Sequence, residues 1–538
     1  MRRLIPFLAL AVLGGCTCGR PPPSTHRGAN VVVVEPSEVG RAAAVAEREP
    51  NDSRRQAQAV AADQPVAGTL ARQGGTEDED WYRVEVGSQG QVLSATLSGL
   101  PGADLVLEAF SAKGKKLVSV NNAAEGEGER LANLSVEGGT YYLRVRAKGG
   151  AAQGQPGDGG PGQGASYRLS WAVRAREEGE EREPNGRSAE ASPLLVGEEA
   201  IGHLGWRGDA DWYETPLRDV GPAARLSVEL SGLDGVRLHL AVRRGDGTVV
   251  QERSGGVGEG VALPNLGLPA GTERLLVVVR ARQGYSVEGR YTLRVATTVP
   301  AVPTESEPND RPASAGALVP GQPVVGNLPD AADRDLFSVP VTQPSLLRIW
   351  VYPAPQLDVA LAALDAGGQR VVAVDDGKLG DPEALSGILV QPPRALVELR
   401  AVRRAETEGA APYRIVARLL PPDGWEQEPN DVPERATLWP SAQTEMRGFL
   451  HPRKDVDHYR VVAGDGPVTV DVTAPKDQPA KLELLDGNGV AVAVAGPPDG
   501  QGVSRVSSQA ASGTSLVVRV QPRGEAPRGR QVYVLKRE

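Results

Sequence analysis

Oxygen-donating side chains recur four times along this chain in one fixed order. Each copy opens with the pattern Glu-x-Glu-Pro-Asn, which begins at residues 47, 181, 305 and 426, and a pair of aspartates in the pattern Asp-x-Asp follows it. Carboxylate and amide oxygens are the ligands that Ca²⁺ prefers in proteins. Without a cation, so many carboxylates in one corner would repel one another. The candidate calcium ligands are Glu47, Glu49, Asn51, Asp52, Asp78 and Asp80; Glu181, Glu183, Asn185, Asp209 and Asp211; Glu305, Glu307, Asn309, Asp310, Asp333 and Asp335; and Glu426, Glu428, Asn430, Asp431, Asp455 and Asp457.

The same residues also have a purely structural interpretation. Asparagine and aspartate are common in turns, where their side chains accept backbone hydrogen bonds, and each aspartate pair could cap the start of a strand. The second copy has Gly186 where the others have aspartate, so it carries one carboxylate fewer. If calcium binds, we expect the ion to fix the joint between neighbouring units and set their angle rather than to do chemistry.

Two tryptophans, Trp81 and Trp212, precede the tyrosine that follows the first two Asp-x-Asp pairs. Strand alternation turns them away from the tyrosine face, so they are candidate contacts to a sugar or a protein ligand. The alternative is that the incoming linker covers them. Leu336 and His458 occupy the same place in the last two copies, so a face of this kind would belong to the first two units at most.

The sequence carries no motif of a catalytic centre. None of its five histidines belongs to an HExxH pattern, and GxSxG, P-loop and CxxC patterns are absent. Four similar units leave no room for a separate catalytic domain, so we predict that the protein is not an enzyme. The net charge of −9 argues against nucleic acid or anionic lipid as the main partner.

The acidic patterns belong to a larger internal repeat. A Gly-x-Leu pattern lies between the two acidic patterns in every copy, beginning at residues 68, 202, 326 and 448. Three patterns in a fixed order, repeated four times, indicate tandem units, and a chain of 538 residues is long enough for several domains. The predicted domains are residues 47–175, 181–298, 305–420 and 426–538, joined by short polar segments.

Within each unit the apolar residues alternate with polar ones. Tyr82, Val84 and Val86 share one face of a predicted strand, and burial of one face is typical of antiparallel sheets. Seven or eight such strands per unit predict a two-sheet, jelly-roll-like β-sandwich. The predicted fold class is therefore all-β, with four tandem sandwiches. The Gly-rich segment 149–165 is expected to be a long, flexible hairpin loop.

The N-terminus has the pattern of an export signal. Residues 1–15 combine two arginines, a short apolar stretch and two glycines, and that stretch is too short to span a membrane. Cys16 follows directly, and the string LGGC resembles the lipobox of bacterial lipoproteins, which implies lipidation at Cys16. Ordinary cleavage nearby is the alternative. Thr17 in place of aspartate implies the outer membrane, facing the periplasm or the cell surface. Residues 16–46 would form the tether.

The repeated patterns resemble the bacterial pre-peptidase C-terminal domain. That family typically shows the Glu-Pro-Asn-Asp start, the Gly-x-Leu strand, the Asp-x-Asp strand with its aromatic pair, and a late strand that reads GGTYYLRV at residues 138–145 here. The first unit has all of these patterns, whereas the other three drift after the third. The resemblance implies a non-catalytic β-sandwich that accompanies secreted peptidases. It also implies calcium at the acidic start, as in clostridial collagenases.

These features together predict a non-catalytic, lipid-anchored protein of the cell envelope. Its tandem sandwiches, with calcium as a candidate cofactor, would bind an envelope or extracellular protein or polysaccharide, as an adhesion or binding module. One alternative is a passive structural spacer with no ligand. Another is an accessory module that targets a separate secreted peptidase.

Overall fold

The computed structural model describes residues 43–70, 78–148, 166–268, 271–405, 412–452, 455–524 and 531–538. The predicted leader, Cys16, most of the tether and the hairpin loop 149–165 lie outside these ranges. Within them the chain is built from strands, with short 3₁₀ turns at Ser188–Glu190 and Pro433–Arg435. Among the described residues we find no helix with the length and apolar character of a membrane span.

The strands of unit 1 form two sheets. The strands are β1 (Val45–Ala46), β2 (Gln58–Ala59), β3 (Val66–Gly68), β4 (Glu79–Val86), β5 (Gln91–Leu97), β6 (Leu105–Ser111), β7 (Lys116–Val120), β8 (Glu129–Val136), β9 (Gly139–Ala147) and β10 (Tyr167–Ala175). We name the sheet with the Asp-x-Asp strand the aspartate sheet, with the order β2-β4-β9-β6-β7. The sheet with the Gly-x-Leu strand is the glycine sheet, with the order β1-β3-β10-β5-β8.

Unit 2 repeats this arrangement with nine strands. They are β11 (Ser192–Pro193), β12 (Glu199–Gly202), β13 (Ala210–Pro216), β14 (Arg225–Leu230), β15 (Arg237–Arg244), β16 (Val249–Val257), β17 (Val261–Gly267), β18 (Arg274–Gln283) and β19 (Tyr291–Thr298). The aspartate sheet has the order β11-β13-β18-β15-β16, and the glycine sheet has the order β12-β19-β14-β17.

Units 3 and 4 have the same topology. Unit 3 contains β20 (Gly316–Ala317), β21 (Val324–Asn327), β22 (Arg334–Pro340), β23 (Ser345–Pro353), β24 (Leu357–Leu364), β25 (Arg370–Val374), β26 (Glu383–Val390), β27 (Arg394–Arg404) and β28 (Pro412–Leu420). Unit 4 contains β29 (Thr437–Leu438), β30 (Glu445–Phe449), β31 (Asp457–Val462), β32 (Val468–Thr473), β33 (Ala480–Leu485), β34 (Ala491–Val494), β35 (Val503–Ser508), β36 (Ser515–Pro522) and β37 (Val532–Arg537). Their aspartate sheets have the orders β20-β22-β27-β24-β25 and β29-β31-β36-β33-β34, and their glycine sheets β21-β28-β23-β26 and β30-β37-β32-β35.

The all-β prediction of tandem sandwiches is confirmed: eight sheets pair into four sandwiches, each with its own apolar core. Each sandwich has nine or ten strands rather than the expected seven or eight. The difference arises because two-residue strands such as β2 pair in parallel with the Asp-x-Asp strand. Strands this short carry no alternation pattern that a sequence could reveal.

Each core forms where the apolar faces of the two sheets meet. In β4 the alternate residues Tyr82, Val84 and Val86 are buried, whereas Arg83 and Glu85 are exposed. This alternation, which the sequence predicted, is how an antiparallel sheet buries one face. In unit 3 the strand β24 is buried along its whole length, because Ala362 and Leu364 on its outer face pack with Leu336 and Leu396 in a second apolar cluster.

The joints between units are made by an edge strand of the glycine sheet. A β-bulge interrupts β8, β17 and β26 in units 1, 2 and 3. Just beyond each bulge, Leu134, Leu266 and Ile388 form a parallel bridge to the second glutamate of the next unit's Glu-x-Glu pattern. The corresponding strand of unit 4, β35, pairs with β32 without a register shift. The acidic segment of units 2 to 4 is therefore held directly against the preceding sandwich.

Candidate metal centre

Three carboxylates per unit converge at the start of each sandwich. The two glutamates of the Glu-x-Glu pattern and the second aspartate of the Asp-x-Asp pair each place an oxygen within 4.8 Å of the other two. The four groups are Glu47, Glu49 and Asp80; Glu181, Glu183 and Asp211; Glu305, Glu307 and Asp335; and Glu426, Glu428 and Asp457. We call each of these groups the acidic cluster of its unit. The sequence interpretation named all twelve residues.

The asparagine of each copy ties the Glu-x-Glu segment to the sandwich. All four asparagines are fully buried, and each backbone N–H donates to the second glutamate, at 2.8–3.0 Å. In units 1 and 2 the carbonyl oxygens of Asn51 and Asn185 accept from the backbone N–H groups of Trp81 and Trp212. The peptide bond that joins the second glutamate to the following proline, just before this asparagine, is cis in all four units.

A buried tyrosine forms a hydrogen bond to the aspartate of each acidic cluster. The hydroxyls of Tyr167, Tyr291, Tyr413 and Tyr533, all on the last strand of their unit, donate to the cluster aspartate at 2.5–2.7 Å. In units 1, 2 and 4 a second tyrosine, on the Asp-x-Asp strand, bonds to the first. The sequence interpretation missed this support, although a tyrosine begins or nearly begins the last strand of every unit.

Unit 3 lacks the second tyrosine, because Phe337 occupies its place. Tyr413 lies 2.5 Å from Asp335 Oδ2 and 2.9 Å from Glu305 Oε2. A phenol hydroxyl has one proton to donate. In unit 3 two carboxyl groups therefore share the one proton that this hydroxyl can donate.

The glycine of each Gly-x-Leu pattern is explained by the same contacts. A β-carbon at Gly68, Gly202, Gly326 or Gly448 would overlap the buried tyrosine hydroxyl below the cluster. In three units it would also collide with the first glutamate. Glycine is required at this position because no side chain fits between the strand and the cluster.

Several cluster oxygens have no hydrogen-bond donor. In units 2, 3 and 4 the second glutamate, the asparagine and the cluster aspartate each keep one buried side-chain oxygen without a partner. A buried acceptor without a donor is costly, and here three such oxygens in each unit belong to one group of neighbouring residues. In unit 2 the three atoms are Glu183 Oε1, Asn185 Oδ1 and Asp211 Oδ1. An oxygen-only donor set of this kind fits a hard cation such as Ca²⁺.

Burial and mutual repulsion raise the pKa values of the four cluster aspartates and of Glu307. Burial, with the neighbouring carboxylates, raises the pKa of Asp80 to about 8 and that of Glu307 to about 7. The same two causes hold the pKa values of Asp211, Asp335 and Asp457 well above the usual range of aspartate. A carboxyl in such a place must either keep a proton or face a positive charge. The electrostatics therefore agree with the oxygen geometry.

In units 2 to 4 the first aspartate of each pair has a different role from the second. Asp209 and Asp455 accept backbone hydrogen bonds from Gly205 and His451, at 2.8 and 2.7 Å, so they close the loop that leads into the strand. Asp333 instead forms an ion pair with Arg253 of unit 2, at 2.9 Å. Asp209 and Asp455 therefore cap the start of a strand, which is the structural role that the sequence offered as the alternative to calcium binding.

The aspartate after the asparagine lies outside the cluster. Asp52, Asp310 and Asp431 are exposed and are absent from the three-carboxylate groups. Gly186, which replaces this aspartate in unit 2, therefore removes no carboxylate from the cluster there. The sequence argument that unit 2 is one ligand short does not apply to the converging groups.

The cluster of unit 1 is more open than the other three. Glu49 is exposed and Glu47 is half-buried, whereas both glutamates are buried in units 2 to 4. The difference follows from the joints, because the preceding unit covers each later cluster. Asn133 of unit 1 donates to Glu181 at 2.9 Å, and Asn265 of unit 2 donates to Glu305 at 2.8 Å. In units 2 and 3 the acidic cluster is thus part of the joint.

The tryptophans named as ligand contacts are half-buried against their own unit. Trp81 lies 4.8 Å from Phe110 between ring centroids, and Arg144 lies over its indole at 5.2 Å. Arg243 lies over Trp212 at 5.9 Å. Each indole therefore already has a cationic neighbour on the outer face of the aspartate sheet.

Comparison with known protein families identifies part of unit 1. The family model described as "Bacterial pre-peptidase C-terminal domain" matches residues 78–147, which span β4 to β9. This segment of unit 1 is similar to a pre-peptidase C-terminal domain. The resemblance seen in the sequence is confirmed for this segment.

The solved structures that match this chain include a pre-peptidase C-terminal domain. That domain, from a collagenase of Bacillus anthracis, is 17% identical, and the match covers 23% of this chain and 99% of the other, with a TM-score of 0.16. A putative secreted protein from Eubacterium rectale is 7% identical over 44% of this chain and 80% of its own, with a TM-score of 0.15. The BSP domain of a biofilm-associated protein is 9% identical over 85% and 94%, with a TM-score of 0.12. No curated protein matches the chain.

Proposed function

We propose that this protein is a non-catalytic, lipid-anchored protein of the cell envelope whose tandem β-sandwiches are stiffened by calcium at their joints and bind a protein or polysaccharide partner. The observation that carries the calcium proposal is the set of buried oxygens without donors in units 2 to 4. One of these oxygens in each unit belongs to the second glutamate, Glu183, Glu307 or Glu428, which also forms the bridge to the preceding unit.

The donor set favours calcium over softer metals. Every candidate ligand atom is a carboxylate or amide oxygen, whereas zinc and copper sites are usually built with imidazole or thiolate. Bound calcium would supply the positive charge that lets the cluster carboxylates ionise together. Glu183, Glu307 and Glu428 would be held both by this charge and by the bridge to the preceding unit. Ordering the cluster would therefore also order the joint.

The anchoring part of the proposal is supported by the sequence. Residues 1–15 have the pattern of an export signal, and Cys16 follows a string that resembles a lipobox. Multiple acyl chains on one residue hold a protein stably at a membrane. We propose the outer membrane as the location, and a Cys16→Ser change should release the protein from the membrane fraction.

Thermal unfolding of the mature chain in millimolar calcium and in chelator tests the calcium proposal. Free calcium at 100 times its dissociation constant would stabilise a unit by about 2.7 kcal/mol, which raises the melting temperature of a domain of this size by roughly ten degrees. The triple variant Asp211→Asn, Asp335→Asn and Asp457→Asn removes one carboxylate from each of three clusters. It should lose most of the calcium-induced rise.

The matched control changes aspartates of the same repeat that lie outside the clusters. Asp310→Asn and Asp431→Asn alter exposed residues, so the calcium response should remain. A wild-type melting curve that is identical in calcium and chelator would refute the proposal. Equal loss in the triple variant and the control would place the ion elsewhere.

The match to a pre-peptidase domain favours one other function. The family name links such domains to peptidases, so this chain could serve as an accessory module that targets a separate secreted peptidase. Affinity purification from the native envelope distinguishes the two. Repeated recovery of one peptidase would support the accessory role, and its absence would favour the independent binding protein.

A further inference from the structure

The glycine sheet of unit 3 carries aromatic and arginine side chains on its outer face. Arg348, Trp350 and Tyr352 alternate along β23, and Arg414 and Arg418 lie beside them on β28. The register pairs Arg348 with Arg418 and Tyr352 with Arg414 across the two strands. We call these five residues the arginine–aromatic strip.

The guanidinium groups of the strip lie over the aromatic rings. Arg348 is 4.7 Å from the ring centre of Trp350, and Arg418 approaches the same ring from 5.9 Å. Arg414 lies 4.9 Å from the ring of Tyr352. Stacking of this kind holds guanidinium groups in place while they keep their charge. The strip therefore presents ordered positive charge and flat apolar rings side by side.

The stacked arrangement continues into unit 4. Arg348 also lies 4.3 Å from the ring centre of Phe449, which stacks on Trp425 with centroids 5.3 Å apart and planes 12° apart. Arg447 lies over Trp425 at 5.7 Å. Phe449 is buried, whereas Trp425 is half-buried. The joint between units 3 and 4 is thus part of one continuous stacked row.

The strip is accessible, and its charge is not neutralised within the described part of the chain. Tyr352 is 38% exposed, more than any other aromatic side chain of the described residues. Arg414 and Arg418 are exposed, and neither these two nor Arg348 forms an ion pair with a described acidic residue. By contrast, the exposed Arg505 is paired with both Asp471 and Glu538.

The fold does not require these side chains. Counting from the bulge that the glycine sheets share, unit 1 has Thr96 and Ser98 at the places of Trp350 and Tyr352. Unit 2 has Glu229 and Ser231 there. These units form the same sandwich with small or acidic residues at both positions. The aromatic pair in unit 3 is therefore available for a purpose other than folding.

We infer that the arginine–aromatic strip binds an anionic polysaccharide, with sugar rings on Trp350 and Tyr352 and acid groups of the polymer on Arg414 and Arg418. This inference rests on the proposed function. It names the class of partner that the protein binds and the face of unit 3 that binds it. Flat faces of sugar rings pack on aromatic side chains. Guanidinium groups bind carboxylate or sulfate oxygens through paired hydrogen bonds.

The composition of the strip favours a polysaccharide over the other polyanions. Double-stranded DNA carries about one charge per 1.7 Å of helix axis, a density that a narrow strip on a protein of net charge −9 cannot match. An anionic bilayer would face whole exposed surfaces rather than one row of rings. A polymer that alternates rings and separated acid groups fits the alternation of aromatic and arginine residues. Short-range charges govern this contact because salt screens charges beyond about 8 Å.

Calorimetric titration of the mature protein with polygalacturonate tests the inference, with uncharged dextran as the neutral polymer. The variant Trp350→Thr with Tyr352→Ser introduces the residues of unit 1 and should weaken binding about tenfold or more. Arg414→Gln with Arg418→Gln should weaken it to a similar extent and reduce its dependence on salt. The matched control, Arg334→Gln with Arg400→Gln, removes two arginines that lie opposite each other on β22 and β27, in the aspartate sheet of the same unit. It should change the affinity less than twofold.

Several results would overturn the inference. These are an absence of binding to polygalacturonate, equal binding to dextran, equal loss in both arginine variants, or tighter binding to duplex DNA or to phosphatidylglycerol vesicles. The calcium-dependent melting temperature, measured on the same samples, separates this failure from failure of the proposed function. If the melting curves respond to calcium but no polymer binds, only the inference about the arginine–aromatic strip is overturned, and the calcium proposal stands.

Discussion

The single tyrosine under the cluster of unit 3 gives a sharp test of how the acidic clusters are supported. In the other units a second hydroxyl lies close by, but Tyr413 is the one hydroxyl bonded to both Asp335 and Glu305. A Tyr413→Phe change keeps the ring in the core and removes only the donor. Two buried carboxyl groups then lose their shared partner. Leaving a buried acceptor unsatisfied costs about 1–3 kcal/mol, so we expect unit 3 to lose about 2 kcal/mol of stability in calcium-free buffer.

Hydrogen exchange of peptides from β22 and β28 measures this loss within unit 3 alone. A decrease of about 2 kcal/mol corresponds to roughly 30-fold faster exchange through opening of the unit. Tyr352→Phe is the matched control, because it removes an exposed hydroxyl from the same sheet, and exchange should stay within about twofold of the wild type. Unchanged exchange in Tyr413→Phe would refute the view that this hydroxyl holds the cluster.

Two further changes test other parts of the structure. Gly448→Ala places a β-carbon against the buried tyrosine of unit 4 and should destabilise that unit by about 1–3 kcal/mol in urea unfolding, whereas Gly464→Ala meets no neighbouring atom within 4 Å and should be nearly neutral. Equal effects of the two would show that the strand moves aside freely. Burial raises the pKa of Glu383 to about 7 in the folded unit, so the native state binds more protons than the unfolded chain between the ordinary glutamate pKa and 7. Unit 3 should therefore lose stability as the pH rises through that window, and Glu383→Gln should reduce this loss; a pH profile of hydrogen exchange that is unchanged in the variant would contradict the assignment.

The fold could be predicted from the sequence because its signals are local. Alternation in segments such as β4 reports which face is buried, and the repeated patterns report the number of units. The acidic clusters were also predictable in part, since both glutamates and the second aspartate recur at fixed places. What the residues could not reveal was that Asp310 and Asp431 point outward while the neighbouring asparagines are buried.

The remaining features depend on contacts between residues far apart in the sequence. Tyr167 is 87 residues from Asp80, and nothing in the local pattern of the last strand says that its hydroxyl reaches the cluster. The requirement for glycine at Gly68 follows from the same contact. The stacking in unit 3 depends on the register between β23 and β28. Trp350 and Tyr352 alternate visibly, but their arginine neighbours are identified only by the strand pairing.

The joints have a consequence for the evolution of the repeat. The four sandwiches share one topology, and the first two joints share an asparagine-to-glutamate contact, but each joint also has a contact of its own. Asn122 donates to Gly205 at the first joint, Arg253 pairs with Asp333 at the second, and Arg348 stacks on Phe449 at the third. A recombination event that deleted one repeat would bring together two faces that were never matched. The contacts at the joints, rather than the fold of each sandwich, therefore favour keeping the number and order of the repeats. An array shortened by one repeat would contain a joint with mismatched contacts.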